Sequence, residues 1–150
     1  MKKIIIAIVL MAVSTVFISS HTEKEKTSHS LKVGVSGLRN SIGNVQFSLY
    51  NKDGTIPDEK FKKYYLQKTG KIVNGKAQVQ FSNIPEGKYA VNILHDENKD
   101  GKIKKGWILP VEGIGFSNYS SIGITNRPNF KDASFYVKGT TYKKVKIIYM

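Results

Sequence analysis

The chain has 150 residues, 24 Lys and Arg against 11 Asp and Glu, a net charge of +13, and no cysteine. The lack of cysteine excludes disulfide bonds, thiol catalysis and thiolate metal sites. Only Arg39 and Arg127 are arginine, the side chain that forms paired hydrogen bonds with phosphates and guanine edges. The lysines are spread over alternating strand faces, which predicts a solvated basic surface near an anionic cell envelope and no nucleic-acid partner.

The N-terminus has the three parts of a secretory signal peptide. Residues 1–3 are a short positive region, residues 4–18 form an apolar stretch, and Ser19 and Ser20 precede a charged run. The alternative is an uncleaved membrane anchor, but the apolar run is shorter than the roughly 20 residues that a spanning helix needs. We therefore predict that residues 1–20 are a cleaved signal peptide of an exported protein, either periplasmic or secreted, with no membrane span after cleavage.

The rest of the chain has the period-two pattern of β-strands. Residues 21–30 are polar and predict a flexible leader, and residues 31–150 are the size of one domain. Apolar and polar residues alternate in six later segments: 31–35, 45–49, 77–81, 89–93, 133–137 and 145–149. One apolar face per strand is typical of packed sheets. The pattern predicts an all-β fold, a single antiparallel Ig-like or prealbumin-like β-sandwich of about six to eight strands.

Two local signals refine this prediction. Asn74 and Gly75 lie between two strand-like segments and favour a tight hairpin. Between Asp58 and Gln67, aromatic residues recur at helical spacing after Pro57, a residue often found in the first turn of a helix. We therefore predict a short helical turn over residues 58–67.

A long loop, residues 96–130, separates two predicted strands, and loops of this length are commonly functional. Its exposed aromatics and amides would suit a glycan or peptide ligand from the envelope or the extracellular space, although aromatics in a sandwich are often core residues. The predicted ligand-recognition residues of this loop are His95, Trp107, Phe116, Asn118 and Tyr119.

The start of the loop resembles the first half of a calcium site. Oxygen ligands at alternating positions followed by a glycine can converge on a hard cation, and the corresponding ligands here are Asp96, Asn98, Asp100 and Lys102. The bidentate glutamate that ends an EF-hand loop is replaced by Trp107, so an ion would need Glu112 or Asp132 as a further ligand. The alternative is a turn held by side-chain-to-backbone hydrogen bonds. No other cofactor is predicted.

The sequence contains no recognisable catalytic motif. His95 is the sole histidine after the leader, and its neighbour Asp96 points to the other face of a strand, so the two are poorly placed as base and orienting group. Nucleophile elbows and glycine-rich phosphate loops are absent. We predict that the protein is not an enzyme, with a hydrolase centred on His95 and nearby carboxylates as the less favoured alternative.

An ordered series of motifs resembles the bacterial family called domain of unknown function 2141. These motifs cover residues 31–40, 43–51, 81–100, 113–118 and 128–137, and residues 95–98 (HDEN) and 115–118 (GFSN) are the most specific. The resemblance implies a small exported bacterial protein without an assigned activity. Phe81, Pro85, Gly87 and Tyr89 also resemble a strand-turn-strand pattern of transthyretin-like and carboxypeptidase-regulatory-like sandwiches.

These observations favour a non-catalytic binding or cell-envelope accessory module. The second interpretation is a structural domain stabilised by calcium bound to the acidic loop, residues 96–103.

Overall fold

The computed structural model describes residues 28–104 and 111–150. The predicted signal peptide, most of the predicted leader and Trp107 lie outside the described residues. Within these two ranges, no helix is both long and apolar enough to cross a bilayer.

The described chain forms two packed β-sheets and one four-residue helix, so the predicted all-β sandwich is confirmed. One sheet has three strands in the order β4-β1-β8, and the other has the order β3-β2-β5-β6 with β7 also paired to β5. The elements are β1 (His29–Ser36), β2 (Asn44–Tyr50), β3 (Leu66–Gly70), β4 (Lys76–Ile84), β5 (Gly87–Asp96), β6 (Gly113–Phe116), α1 (Phe130–Ala133), β7 (Phe135–Val137) and β8 (Thr140–Lys146).

One strand pair differs from the predicted antiparallel arrangement. β1 and β8 are parallel over their whole length, from Ser30 opposite Thr140 to Ser36 opposite Lys146. The chain reaches β8 from β7, which belongs to the other sheet. Because β1 and β8 are joined through many intervening elements and not by a hairpin, their relative direction is not constrained to be antiparallel.

The first strand begins earlier than the predicted end of the leader. His29 and Ser30 already belong to β1, and Nδ1 of His29 accepts a hydrogen bond of 2.8 Å from the backbone N–H of Gly139. His29 is 7% exposed. Its position next to β8 therefore fixes the start of the strand.

Two secondary-structure predictions are wrong. Residues 58–65 form irregular turns in place of the predicted helical turn, with Phe61 in the left-handed region at φ 48°, and Leu66 begins β3. Ala133, predicted in a strand, ends helix α1, which begins after its N-cap residue Asn129. In the first segment only Phe61 is buried, while Tyr64 and Tyr65 are exposed, so the helical spacing of the three aromatics does not mark the buried face of a helix.

The main core lies between the two sheets and confirms the alternation that the sequence shows. Alternate side chains of each strand point into it, and Phe47, Phe81 and Val33 are fully buried. Its buried members are Leu31, Val33, Val35, Leu38, Val45, Phe47, Leu49, Ala77, Val79, Phe81, Ile84, Tyr89, Val91, Ile93, Val137, Val145 and Ile147.

A second apolar cluster covers the outer face of the five-stranded sheet. The predicted polar face of β5 is therefore wrong, because eight of its ten residues are buried. Segments 51–65 and 117–134 pack over this face, and Oγ of Ser117 donates a 2.6 Å hydrogen bond to the carbonyl of Ala133. The buried members of the cluster are Tyr50, Ile56, Phe61, Ala90, Leu94, Ile114, Phe116, Tyr119, Phe130 and Ala133.

We predict that Phe116→Ala lowers the free energy of unfolding by about 3–5 kcal/mol, the usual cost of removing a buried aromatic ring. Phe116 is 5% exposed and its ring contacts that of Tyr119 edge-on, with centroids 6.2 Å apart. Urea unfolding followed by circular dichroism measures the change. Ile124→Ala is the control, since Ile124 is 87% exposed and its loss should cost less than about 0.5 kcal/mol. Equal effects of the two substitutions would contradict the second apolar cluster.

Candidate functional site

Those predicted recognition residues that lie in the described segments support the fold and do not form an open surface together. Phe116 and Tyr119 are buried in the second apolar cluster. Asn118 is exposed, but its Nδ2 donates hydrogen bonds to the carbonyls of Asp132 and Ser134 at 3.0 and 2.9 Å, and its Oδ1 accepts one from Nζ of Lys143. The expectation that these side chains face solvent together is corrected. Trp107 lies outside the described residues.

His95 is fully buried at the end of β5, where its ring joins three segments of the chain. Nε2 lies 3.0 Å from the carbonyl oxygen of Ile42, and Nδ1 lies 2.7 Å from the hydroxyl of Tyr149. Since a carbonyl oxygen only accepts, Nε2 donates to Ile42, while Nδ1 and the hydroxyl of Tyr149 share the second hydrogen bond. Both nitrogens are thus occupied and shielded from solvent. This geometry describes a structural histidine.

Glu97 forms the strongest ionic contact in the described part of the chain. Its carboxylate accepts two hydrogen bonds of 2.7 Å from Nε and Nη2 of Arg39 and one of 2.9 Å from Asn40. The hydrogen bonds from Arg39 hold the pKa of Glu97 at about 2, well below its usual value. The guanidinium of Arg39 also lies 4.8 Å from the ring centroid of Tyr149. This ion pair therefore connects the loop after β1 to the end of β5 and to the C-terminal segment.

The acidic loop is a turn held by its own carboxylates. Both oxygens of Asp96 accept backbone hydrogen bonds, from the N–H of Asp100 at 3.2 Å and of Gly101 at 2.9 Å. Oδ1 of Asp100 accepts from the N–H of Lys102 at 2.8 Å, and this bond is the main cause of the lowered pKa of Asp100. Oδ1 of Asn98 accepts a second bond from the N–H of Asp100. The oxygen side chains at alternating positions are thereby explained without an ion.

Glu112 lies beside this loop, where a calcium ion would need a further ligand, but its carboxylate contacts backbone N–H groups. Its side chain is buried, and its two oxygens accept hydrogen bonds from the N–H of Glu97 at 3.1 Å and of Lys104 at 2.9 Å. Asp132, in α1, is hydrogen-bonded to Asn129, the N-cap residue of that helix. In residues 28–104 and 111–150, no group of three His, Asp or Glu side chains has the arrangement of a metal site. A calcium site at the four loop residues stays a prediction.

A surface that the sequence analysis missed lies on the outer side of the three-stranded sheet. Strands β1, β4 and β8 contain five lysines and no carboxylate. Of these lysines, four are exposed on the outer side, while Lys143 packs over the ring of Phe135. We name this surface the lysine face and define it by its outward residues Lys32, Gly34, Ser36, Lys76, Gln78, Gln80, Tyr142, Lys144 and Lys146.

The strand register brings these side chains together in three rows. Ser36 lies between Lys76 and Lys146, Gly34 lies between Gln78 and Lys144, and Lys32 lies between Gln80 and Tyr142. Each row therefore contains at least one lysine. The lysines come from three parts of the sequence and gather because β8 pairs with β1 in parallel, which corrects the expectation that they are scattered.

A shallow groove of about 500 Å³ crosses the lysine face. Its floor is Gly34, which has no side chain, and the hydroxyl of Tyr142 leans over this glycine so that an added Cβ would lie 2.7 Å from it. The Tyr142 ring nevertheless remains 59% exposed. The side chains around the floor are those of Ser36, Lys71, Val73, Lys76, Gln78, Tyr142 and Lys144.

The charge of the lysine face is not neutralised by its surroundings. None of the residues around the groove is acidic. No ion pair of the described segments involves Lys32, Lys76, Lys144 or Lys146. The face therefore presents free ammonium groups around an exposed aromatic ring, an arrangement that can attract an anionic partner.

Comparison with known proteins gives one family match. A family model described as an uncharacterised protein conserved in bacteria (DUF2141) matches residues 33–145. This range includes the second half of β1, all of β2 to β7 and most of β8. No curated protein and no solved structure matches the chain significantly.

We predict that Asp96→Ala lowers the free energy of unfolding by about 1–3 kcal/mol, because the N–H of Gly101 loses its acceptor and that of Asp100 keeps only Oδ1 of Asn98. Urea unfolding should give the same loss in calcium and in a chelator if the carboxylate only holds the turn. A loss that appears only with calcium would contradict this role and identify an ion site. Lys102→Ala is the matched control, since the turn uses only the backbone N–H of Lys102.

We also predict that Glu97 contributes to stability in a pH-dependent way. Because the pKa of Glu97 is lower in the folded state, its contribution is present above the unfolded pKa of about 4.3 and disappears as the pH falls towards 2. Glu97→Gln should therefore cost about 1–2 kcal/mol near neutral pH and progressively less on acidification.

Urea unfolding between about pH 6 and pH 2.5 measures this difference. Asp53→Asn in an exposed turn is the control, since Asp53 hydrogen-bonds only to the adjacent N–H of Gly54. A cost of Glu97→Gln that stays constant across this pH range would contradict the assigned ion pair.

Proposed function

The chain belongs to the DUF2141 family of uncharacterised bacterial proteins, and we propose that it is a non-catalytic binding module of the cell envelope. The lysine face is its binding surface and an anionic polymer is its ligand. The observation that carries this proposal is the collection of four unpaired lysines around an exposed tyrosine on one open sheet face.

The absence of catalysis is supported by the structural use of the candidate acid–base groups. A catalytic base must reach the proton that it removes, at hydrogen-bond distance or through one water. His95 has no exposed surface and both of its ring nitrogens are bonded. Asp96 and Glu112 are also buried and hold backbone N–H groups. These contacts leave them without a free position for a substrate.

Location in the envelope is supported by the N-terminal segment and by the charge. Residues 1–20 have the order of positive, apolar and small residues that characterises a signal peptide. A chain without cysteine is compatible with an oxidising compartment because it has no thiol to protect. Removal of residues 1–20, which contain Lys2 and Lys3 and no carboxylate, lowers the net charge from +13 to +11. A protein of this charge is attracted over distances of about a Debye length to the anionic polymers of a bacterial surface.

The binding surface is supported by a difference between the two outer sides of the sandwich. The outer side of the five-stranded sheet is covered by segments 51–65 and 117–134, which bury its apolar residues. The outer side of the three-stranded sheet has no such cover in the described chain, and its middle strand has Gly34 at the centre. Lys144 of β8 lies directly beside that glycine, and Lys76 of β4 lies on its other side, opposite the neighbouring outward residue Ser36. A polymer lying on the floor would therefore meet positive charge on both sides.

We predict that dextran sulfate binds this protein through the lysine face. A variant with Lys32, Lys76, Lys144 and Lys146 all changed to Gln should bind at least about tenfold more weakly, since each exposed charge contributes a few tenths of a kcal/mol. The control variant changes Lys52, Lys60, Lys62 and Lys131 to Gln. These residues are exposed elsewhere, and the control loses the same number of charges.

Isothermal titration calorimetry at two salt concentrations measures both variants, and circular dichroism checks that they are folded. The lysine-face variant should also lose most of the salt dependence of binding. Equal weakening in the two variants would mean that net charge alone attracts the polymer, and the proposed binding surface would then be wrong.

A further inference from the structure

We propose that the ligand of the lysine face is a linear polysaccharide with repeated carboxylates, a polyuronate, and that one of its sugar rings stacks on Tyr142. This inference rests on the proposed function and specifies the chemistry of the ligand. It depends on the position of the tyrosine ring, on the uncharged side chains beside it and on the kind of cation that surrounds it.

Tyr142 lies over the floor of the groove and is open to solvent. Its hydroxyl end leans over Gly34, so the missing side chain of the glycine lets the ring lie close to the sheet. The ring is 59% exposed, which leaves much of its surface open to solvent. The C–H-rich face of a pyranose is weakly positive and packs favourably on the negative face of an aromatic ring. A sugar in the groove therefore has a stacking partner next to the floor.

The neutral polar side chains of the face match sugar hydroxyls. Gln78 and Gln80 are exposed beside the glycine row and the tyrosine row, and Ser36 lies beside the groove. An amide side chain both donates and accepts hydrogen bonds, as a sugar hydroxyl does. The face therefore offers neutral hydrogen-bonding groups beside its charges, which suits a ligand that has both hydroxyls and carboxylates.

The cations favour carboxylates that repeat along a chain. All four charged residues of the face are lysines, which are hydrated point charges on flexible stems and make single contacts. Lys144 and Lys146 are two residues apart on one strand, so their Cα atoms are roughly 7 Å apart. Lys76 and Lys144 lie on opposite sides of Gly34. Several weak contacts spread over the face suit a polymer with one carboxylate per sugar.

Other anionic partners fit the same face less well. Nucleic-acid surfaces usually combine arginine forks with several stacking aromatics, and the lysine face has one aromatic ring and no arginine. A surface that inserts into a membrane presents several protruding apolar residues, and of the groove residues only Val73 is an exposed large aliphatic side chain, at 63%. These comparisons favour a polyuronate over a nucleic acid or a lipid surface.

The test is a calorimetric titration of the full mature protein with polygalacturonate fragments. The expected result is salt-dependent binding that Tyr142→Ala weakens roughly five- to tenfold, the value of one aromatic stacking contact. Tyr142→Phe should bind the fragments about as tightly as the unsubstituted protein, because the aromatic ring face remains. Tyr136→Ala is the matched control, since Tyr136 is 56% exposed on β7 outside the lysine face. Circular dichroism and the melting temperature verify that each variant is folded.

Four comparison ligands make every outcome decisive. Neutral dextran should not bind, and equal binding of dextran would overturn the role of the carboxylates. If polyphosphate, single-stranded DNA or phosphatidylglycerol vesicles bind as tightly as polygalacturonate, and Tyr142→Ala changes none of these affinities, the polyuronate is wrong while the anionic binding surface stands. If no polyanion responds to the four Lys→Gln substitutions, both the polyuronate and the proposed function fail.

Discussion

The burial of β5 on both of its faces is the constraint on which the rest of the structure depends. Val91 and Ile93 point into the main core, while Ala90 and Leu94 point the other way into the second apolar cluster. A strand with two apolar faces needs cover on both sides. The three-stranded sheet covers one side, and segments 51–65 and 117–134 cover the other. Phe116, Tyr119 and Phe130 of the long loop are buried in this cluster. The open surface of the described chain is therefore on the opposite side of the sandwich.

Titratable side chains at the end of β5 have structural partners for the same reason, because this end of the strand is also buried. His95 enters the interior, and a buried polar ring is tolerated only when its nitrogens are hydrogen-bonded; Tyr149 and the carbonyl of Ile42 supply those bonds. Asp96 closes the following turn, and Glu97 pairs with Arg39. Residues 95–97 therefore have a structural role: they join the loop after β1, the end of β5 and the C-terminal segment.

The sequence predicted what depends on local alternation and missed what depends on distant pairing. Leu31, Val33 and Val35 follow a period of two, and all three lie in the main core. The same period cannot show that a remote segment covers Leu94, and it cannot show that β8 lies parallel to β1. The lysine face arises from that pairing. A strand-by-strand comparison of polar positions would have revealed its signal, since the three segments that form it share lysines and lack carboxylates.

The lysine face has an energetic consequence for the isolated protein. Like charges that are neighbours on one face of a sheet repel each other and lower its stability, and Lys144 and Lys146 are such neighbours on β8. The carboxylates that could neutralise them belong to other elements, where Glu97 and Glu112 hold loops together. A bound polyanion would relieve this repulsion and would bind only the folded sheet, because the unfolded chain separates the three strands. With the proposed ligand, binding would stabilise the folded state, because the lysines that repel each other in the free sheet would contact the anionic chain.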